Sequence, residues 1–111
     1  MSQAADELAF RIETLLGPRP DIVQKRMFGG VAFMLRGNML CGPMKDGTLM
    51  ARVGPDLMAE ALARFGAQQM EMGGRTMKGY VEVEADAIED DDVLTGWLAL
   101  CEQFVGTLPP K

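Results

Sequence analysis

With 111 residues, the chain is long enough for one domain and too short for two. Its 48% apolar and 24% charged content is that of an ordinary globular protein. It contains no histidine, which excludes Ser-His-Asp and Cys-His catalysis, histidine zinc sites and an imidazole base, and a net charge of −5 argues against general affinity for nucleic acid.

The N-terminus carries acids inside its apolar pattern and is no signal peptide. No apolar run approaches the ~18 residues of a membrane span, so the chain reads as soluble and cytoplasmic. Cys41 and Cys101 both lie in apolar stretches. A disulfide between them is open on sequence grounds, but the composition suits two buried thiols in a reducing compartment. A zinc site would need carboxylates for half its ligands, and no metal or cofactor is expected. The ten methionines are unusual; they read as adaptable core fillers, with a plastic binding surface as the alternative.

In chain order, residues 3–16 form a first helix. Ala5, Leu8, Ile12, Leu15 and Leu16 make one stripe, Ser2 caps it, and Gly17-Pro18 stop it. Pro18–Gln24 reads as a connector, with a helical turn allowed at Asp21–Gln24. From Lys25 the period changes to two. Val31, Phe33 and Leu35 alternate with Ala32 and Met34, Arg36-Gly37-Asn38 turns the chain, and Met39–Met44 returns. Pro43 should mark the end of that strand or turn its ring-blocked amide outward. After Asp46-Gly47, Thr48–Val53 places Leu49, Ala51 and Val53 on one face.

Gly54-Pro55-Asp56 opens a second helix whose stripe is Leu57, Met58, Ala61, Leu62 and Phe65, closed by Gly66. Residues 67–78 are less regular, with a turn at Gly73-Gly74, and Gly79–Glu84 forms a last strand. The acidic run Glu89–Asp92 leads a long helix. Val93, Trp97, Leu100, Phe104 and Leu108 share its face, broadened by Leu94, Leu98, Cys101 and Val105. The fold class is therefore α+β: an antiparallel meander of three to five strands flanked by helices, in the order α-β-β-β-α-β-α, as one domain over residues 1–111.

Gly29-Gly30 raises the question of a phosphate loop. Such a loop needs a helix after it, and here VAFML, a strand, follows, so a bulge or kink is the better reading. Lys25, Arg26 and Phe28 could stack and pair with single-stranded nucleic acid, although Phe28 also suits the core. Glu89–Asp92 lacks calcium-loop spacing and fits the positive end of a helix. Cys41 has no histidine to activate it. Tyr80, beside a glycine on the last strand, could project into a groove. Charge is unevenly placed: residues 17–53 hold six basic and two acidic side chains, whereas residues 82–92 hold seven acidic ones and no basic one.

The string KRMFGGVAFMLRGNMLCGPMKDGTLMARVGP resembles the core signature of the TfoX N-terminal domain family. That signature has a basic residue, then Met27-Phe28-Gly29-Gly30, a hairpin, and a strand ending in an RVG-like corner before a helix. MKGYVEV and the acid-started helix with Trp97 are similar to its closing segment, so the likeness covers roughly residues 5–108. It implies an α+β domain with a helix-flanked antiparallel sheet. The family takes its name from bacterial regulators of natural competence, and it supplies no catalytic residue to carry over. Longer members bear a second, C-terminal domain; this chain ends at Pro109-Pro110-Lys111 and reads as a stand-alone copy.

The resulting expectation is a non-enzymatic regulatory domain acting through protein contacts. Candidate contact residues are Arg19, Lys25, Arg26, Phe28, Gly29, Gly30, Arg36 and Tyr80. A homodimer could form by setting the segment of Arg19, Lys25, Arg26 and Arg36 against residues 84–92 of a second copy. A nucleic-acid-associated regulator using the same basic patch is the alternative. A small-ligand binder or enzyme with a pocket near Cys41 and Tyr80 is a third reading.

Overall fold

The computed structural model describes residues 2–27 and 30–111. Its first helix, α1 (Gln3–Leu16), is bounded as its sequence requires. The Ser2 hydroxyl accepts from the Ala5 N–H at 3.1 Å, and Gly17, at φ +72°, donates its own N–H to the Glu13 carbonyl. Ala5, Leu8 and Ile12 are the buried positions.

Six strands follow: β1 (Ile22–Met27), β2 (Gly30–Leu35), β3 (Asn38–Pro43), β4 (Leu49–Arg52), β5 (Ala67–Met72) and β6 (Arg75–Val83). They form one antiparallel sheet in the order β1-β2-β3-β4-β6-β5. The α+β class with helices on an antiparallel sheet is as expected, with six strands in place of three to five.

Both additional strands replace segments that looked irregular. β1 begins inside the expected connector because it lies at the sheet edge: Val23, Gln24, Lys25 and Arg26 are all exposed, so no alternation marks it. At the other edge β5 reads AQQMEM, and a register shift between Gln69 and Glu71 breaks its period. Gly73 and Gly74, both at positive φ, make the expected turn into β6. Pro43 ends β3, where its missing N–H is harmless.

Registered partners place Phe33, Cys41, Ala51 and Val81 in one row across β2, β3, β4 and β6. That face carries the core. Leu8 and Ile12 of α1, Ala61 of α2 (Met58–Leu62), and Leu94, Trp97, Leu98, Leu100, Cys101 and Val105 of α3 (Asp91–Val105) all join it. Asp90 caps α3 by accepting from the Asp92 N–H at 2.7 Å.

Two apolar stripes are only partly used. The second helix stops at Leu62 after a short 3₁₀ turn at Pro55–Leu57, so its 3.6-residue period does not reach Phe65, which is 79% exposed. The Arg64 guanidinium lies over the Trp97 ring instead, 5.1 Å from its centroid. In α3 the core stripe runs Leu94, Trp97, Leu98, Cys101 and Val105, which rotates Val93 out to solvent.

The opposite face is also apolar in part. Ala32, Met50 and Met70 are buried there, although the helices cover the other side. Ile12→Ala should therefore lower unfolding free energy by about 2–5 kcal/mol, while Phe65→Ser should stay within about 0.5 kcal/mol. Urea unfolding of both variants checks this, and a large loss from Phe65→Ser would mean that its side chain is covered.

Candidate functional site

The basic segment does not act as one patch. Arg19 is held by two carboxylates, with Asp21 at 3.0 Å and Glu102 at 2.6 Å, joining the start of β1 to α3. These partners raise the Arg19 pKa further, and its hydrogen bonds hold the Asp21 carboxyl below the ordinary range. Arg36, in the β2–β3 turn, donates to the Gly106 carbonyl at 2.8 Å. Lys25 and Arg26 remain on the exposed outer strand, with no ion pair among the described residues. As neighbours on one strand, they point to opposite faces of the sheet.

Gly30 heads β2 and pairs with Met27 across the hairpin. It thus stands at the corner between two antiparallel strands, and no helix follows to supply a phosphate site. Phe28 and Gly29, the other expected members of this motif, lie outside the described residues.

Tyr80 is half-buried on β6 opposite Arg52 of β4. The Arg52 guanidinium sits between two rings, 5.7 Å from the Tyr80 centroid and 5.6 Å from that of Phe104. It also donates to the Met39 carbonyl at 3.4 Å. Arg52 escaped the sequence reading because a lone cation before Val-Gly carries no spacing signal. The glycine after that corner is tightly held: a Cβ on Gly54 would lie 2.3 Å from Phe104 Cδ1.

A cavity of about 490 Å³ opens where the β1–β2 hairpin, the end of β3 and the start of α1 meet. Met27, Met39, Met44, Met50 and Met72 all line it, with Gly30 and Lys45. Neither Cys41 nor Tyr80 lines it, although Gly42 beside Cys41 and Met39, 4.0 Å through its sulfur from the Tyr80 hydroxyl, do. The methionine count was the available signal, but only folding brings side chains from positions 27 to 72 together.

Both cysteines are free and have no exposed surface. Burial pushes the Cys41 thiol well up and that of Cys101 up to about 12. Neither offers a thiolate near neutral pH. Among the described residues, no group of three or more His, Cys, Asp or Glu is placed to hold a metal ion. Among the same residues, no helix is long and apolar enough to cross a membrane.

These features define a small α+β sheet domain with an exposed cationic edge strand, an aromatic-flanked arginine and a methionine-lined cavity. The chain belongs to the TfoX N-terminal domain family, whose model matches residues 14–105. Most of α1 precedes the matched span, yet Leu8 and Ile12 are core residues. No curated protein and no solved structure matches the chain.

The lowered Asp21 pKa means that its pairing with Arg19 stabilises the fold above the ordinary carboxylate range, about pH 3.9. That contribution is lost as pH falls through the lowered value. Arg19→Met should be less stable than the parent near neutrality, and the difference should close below about pH 4. Urea unfolding across a pH series reads it; a pH-independent difference would assign the loss to packing. In the native protein, neither thiol should react with an aromatic disulfide reagent near pH 8, and both should react in denaturant.

Proposed function

We propose that this domain is a non-enzymatic regulatory module that works by protein contact, using β1 as the docking strand for an acidic, extended partner segment. The single observation that carries this reading is the state of β1: an edge strand with four consecutive exposed residues, two of them cations without an internal carboxylate partner among the described residues. A free edge offers backbone hydrogen bonds to an added strand, and side chains on alternate faces select its sequence. The buried thiols and the absence of histidine favour the non-enzymatic reading. A link to transcription or competence would follow the role for which the family is named.

The structure gives less to direct nucleic-acid binding. Arg19 and Arg36 are engaged inside the fold, leaving two cations on β1 against a chain charge of −5.

The test is capture of partners by the parent protein and by the double variant Lys25→Glu/Arg26→Glu, each with and without nuclease. Partners should survive nuclease and be lost from the double variant, which should unfold like the parent because both side chains are exposed. Partners removed by nuclease, with steeply salt-dependent binding to DNA or RNA, would favour the nucleic-acid reading instead. Sedimentation separates self-association: a dimer abolished by the double variant would identify a second copy, with its acidic residues 84–92, as the occupant.

A further inference from the structure

Five of the ten methionines in the chain converge on one cavity. They come from β1, β3, the turn after β3, β4 and β5, so no local periodicity places them together. The volume, about 490 Å³, lies within the roughly 300–1,000 Å³ in which proteins hold small molecules. Unbranched thioether side chains can repack around differing shapes, unlike a wall of leucine and valine.

Gly30 adds an independent observation. It occupies a paired strand position, and extended backbone does not demand glycine. Crowding does not demand it either: among the described residues, a Cβ would meet nothing nearer than the Pro43 carbonyl oxygen at 3.8 Å. Glycine in a strand costs order and packing, and where neither torsion nor space requires it, it leaves room for something that approaches the backbone. Here the room belongs to the cavity wall.

The lining is chemically asymmetric. Among its described residues Lys45 is the one ionisable side chain, and no carboxylate is present. The Lys45 turn is fixed to the start of α1 by the Ser2 hydroxyl, which donates to the Lys45 carbonyl while accepting from the Ala5 N–H. The Lys45 backbone is therefore tied to the start of α1, and its exposed side chain is the one cation on a wall that is otherwise apolar apart from Ser2.

We propose that this cavity binds a small amphipathic anion, with its apolar body among the five thioethers and its single negative group towards Lys45. The site is separate from the docking contacts of Lys25 and Arg26, and the proposal does not depend on them.

The test uses the full chain labelled with ¹³C at the methionine methyls and titrated with octanoate, with 1-octanol as the uncharged counterpart. The methyls of Met27, Met39, Met44, Met50 and Met72 should shift saturably, while Met58, packed against the helix-side core, should stay in place. Lys45→Gln, on an exposed side chain, should weaken octanoate at least fivefold and leave 1-octanol unchanged. Gly30→Leu should remove the response to both by filling the space. Octanoate and 1-octanol binding equally in the parent would overturn the assigned role of Lys45, and with it the proposal. So would the absence of saturable shifts at millimolar octanoate. Shifts of the same methyls with Ag⁺ but not octanoate would overturn it in favour of a thioether site for a soft cation.

Discussion

An antiparallel sheet has two faces, and this chain covers only one of them with helices. The row of Phe33, Cys41, Ala51 and Val81 lies against α1 and α3, and fully buried Trp97 is the largest side chain in that layer. Everything on the far side must be covered by other means. Ala32, Met50 and Met70 are nonetheless buried there. Side chains of the sheet itself provide cover, and long, unbranched methionine is suited to span gaps between strands that no helix fills. Half of the methionines gather at the cavity, where the β1–β2 hairpin, the end of β3 and the start of α1 meet.

The end of α3 fixes the opposite corner of the sheet. Arg36 donates to the Gly106 carbonyl, Asn38 Nδ2 donates to the Pro109 carbonyl at 2.9 Å, and the Lys111 N–H donates to the Arg36 carbonyl at 2.9 Å. Gly37 permits this approach: it has φ +84°, and a Cβ there would lie 2.9 Å from that of Lys111. Arg19, bridging Asp21 and Glu102, then ties the entry of β1 to the same helix. Arginines that looked like surface contacts in the sequence thus hold the edge strand in place, and this leaves Lys25 and Arg26 further along it.

The helix limits at Ser2 and Gly17 were legible because capping depends on a few adjacent atoms, and the acidic run Glu89–Asp92 marked the start of α3 without singling out Asp90 as its cap. The strands β2 to β4 were legible because they are short apolar runs bounded by the turns at Arg36-Gly37-Asn38 and Asp46-Gly47, although β3 and β4 are buried almost throughout. The start of β1 was hidden by its position: an edge strand without cover on its outer side needs no alternation, so Ile22–Gln24 looked like part of a connector. Phe65 misled for the converse reason, since apolar spacing predicts burial only while the helix that sets the spacing continues. The Met27 and Gly30 positions stood out in the sequence, but as a bend. Their place on a cavity wall depends on Met39, Met44, Met50 and Met72 arriving from strands and turns far along the chain. No window of sequence contains that information.

The edge strand and the cavity are distinct surfaces, but they meet at one residue. Met27 ends β1 two residues after Lys25 and also lines the cavity, while its strand partner Gly30 forms the neighbouring wall. A molecule filling the cavity would touch the end of the strand to which a partner would add. A partner pairing with β1 would in turn fix one side of the cavity. Coupling of this kind is reciprocal: whatever factor one occupant contributes to the affinity of the other must be returned in the opposite direction. Gly30 belongs to both surfaces, since it pairs with the last residue of β1 and a side chain there would narrow the cavity.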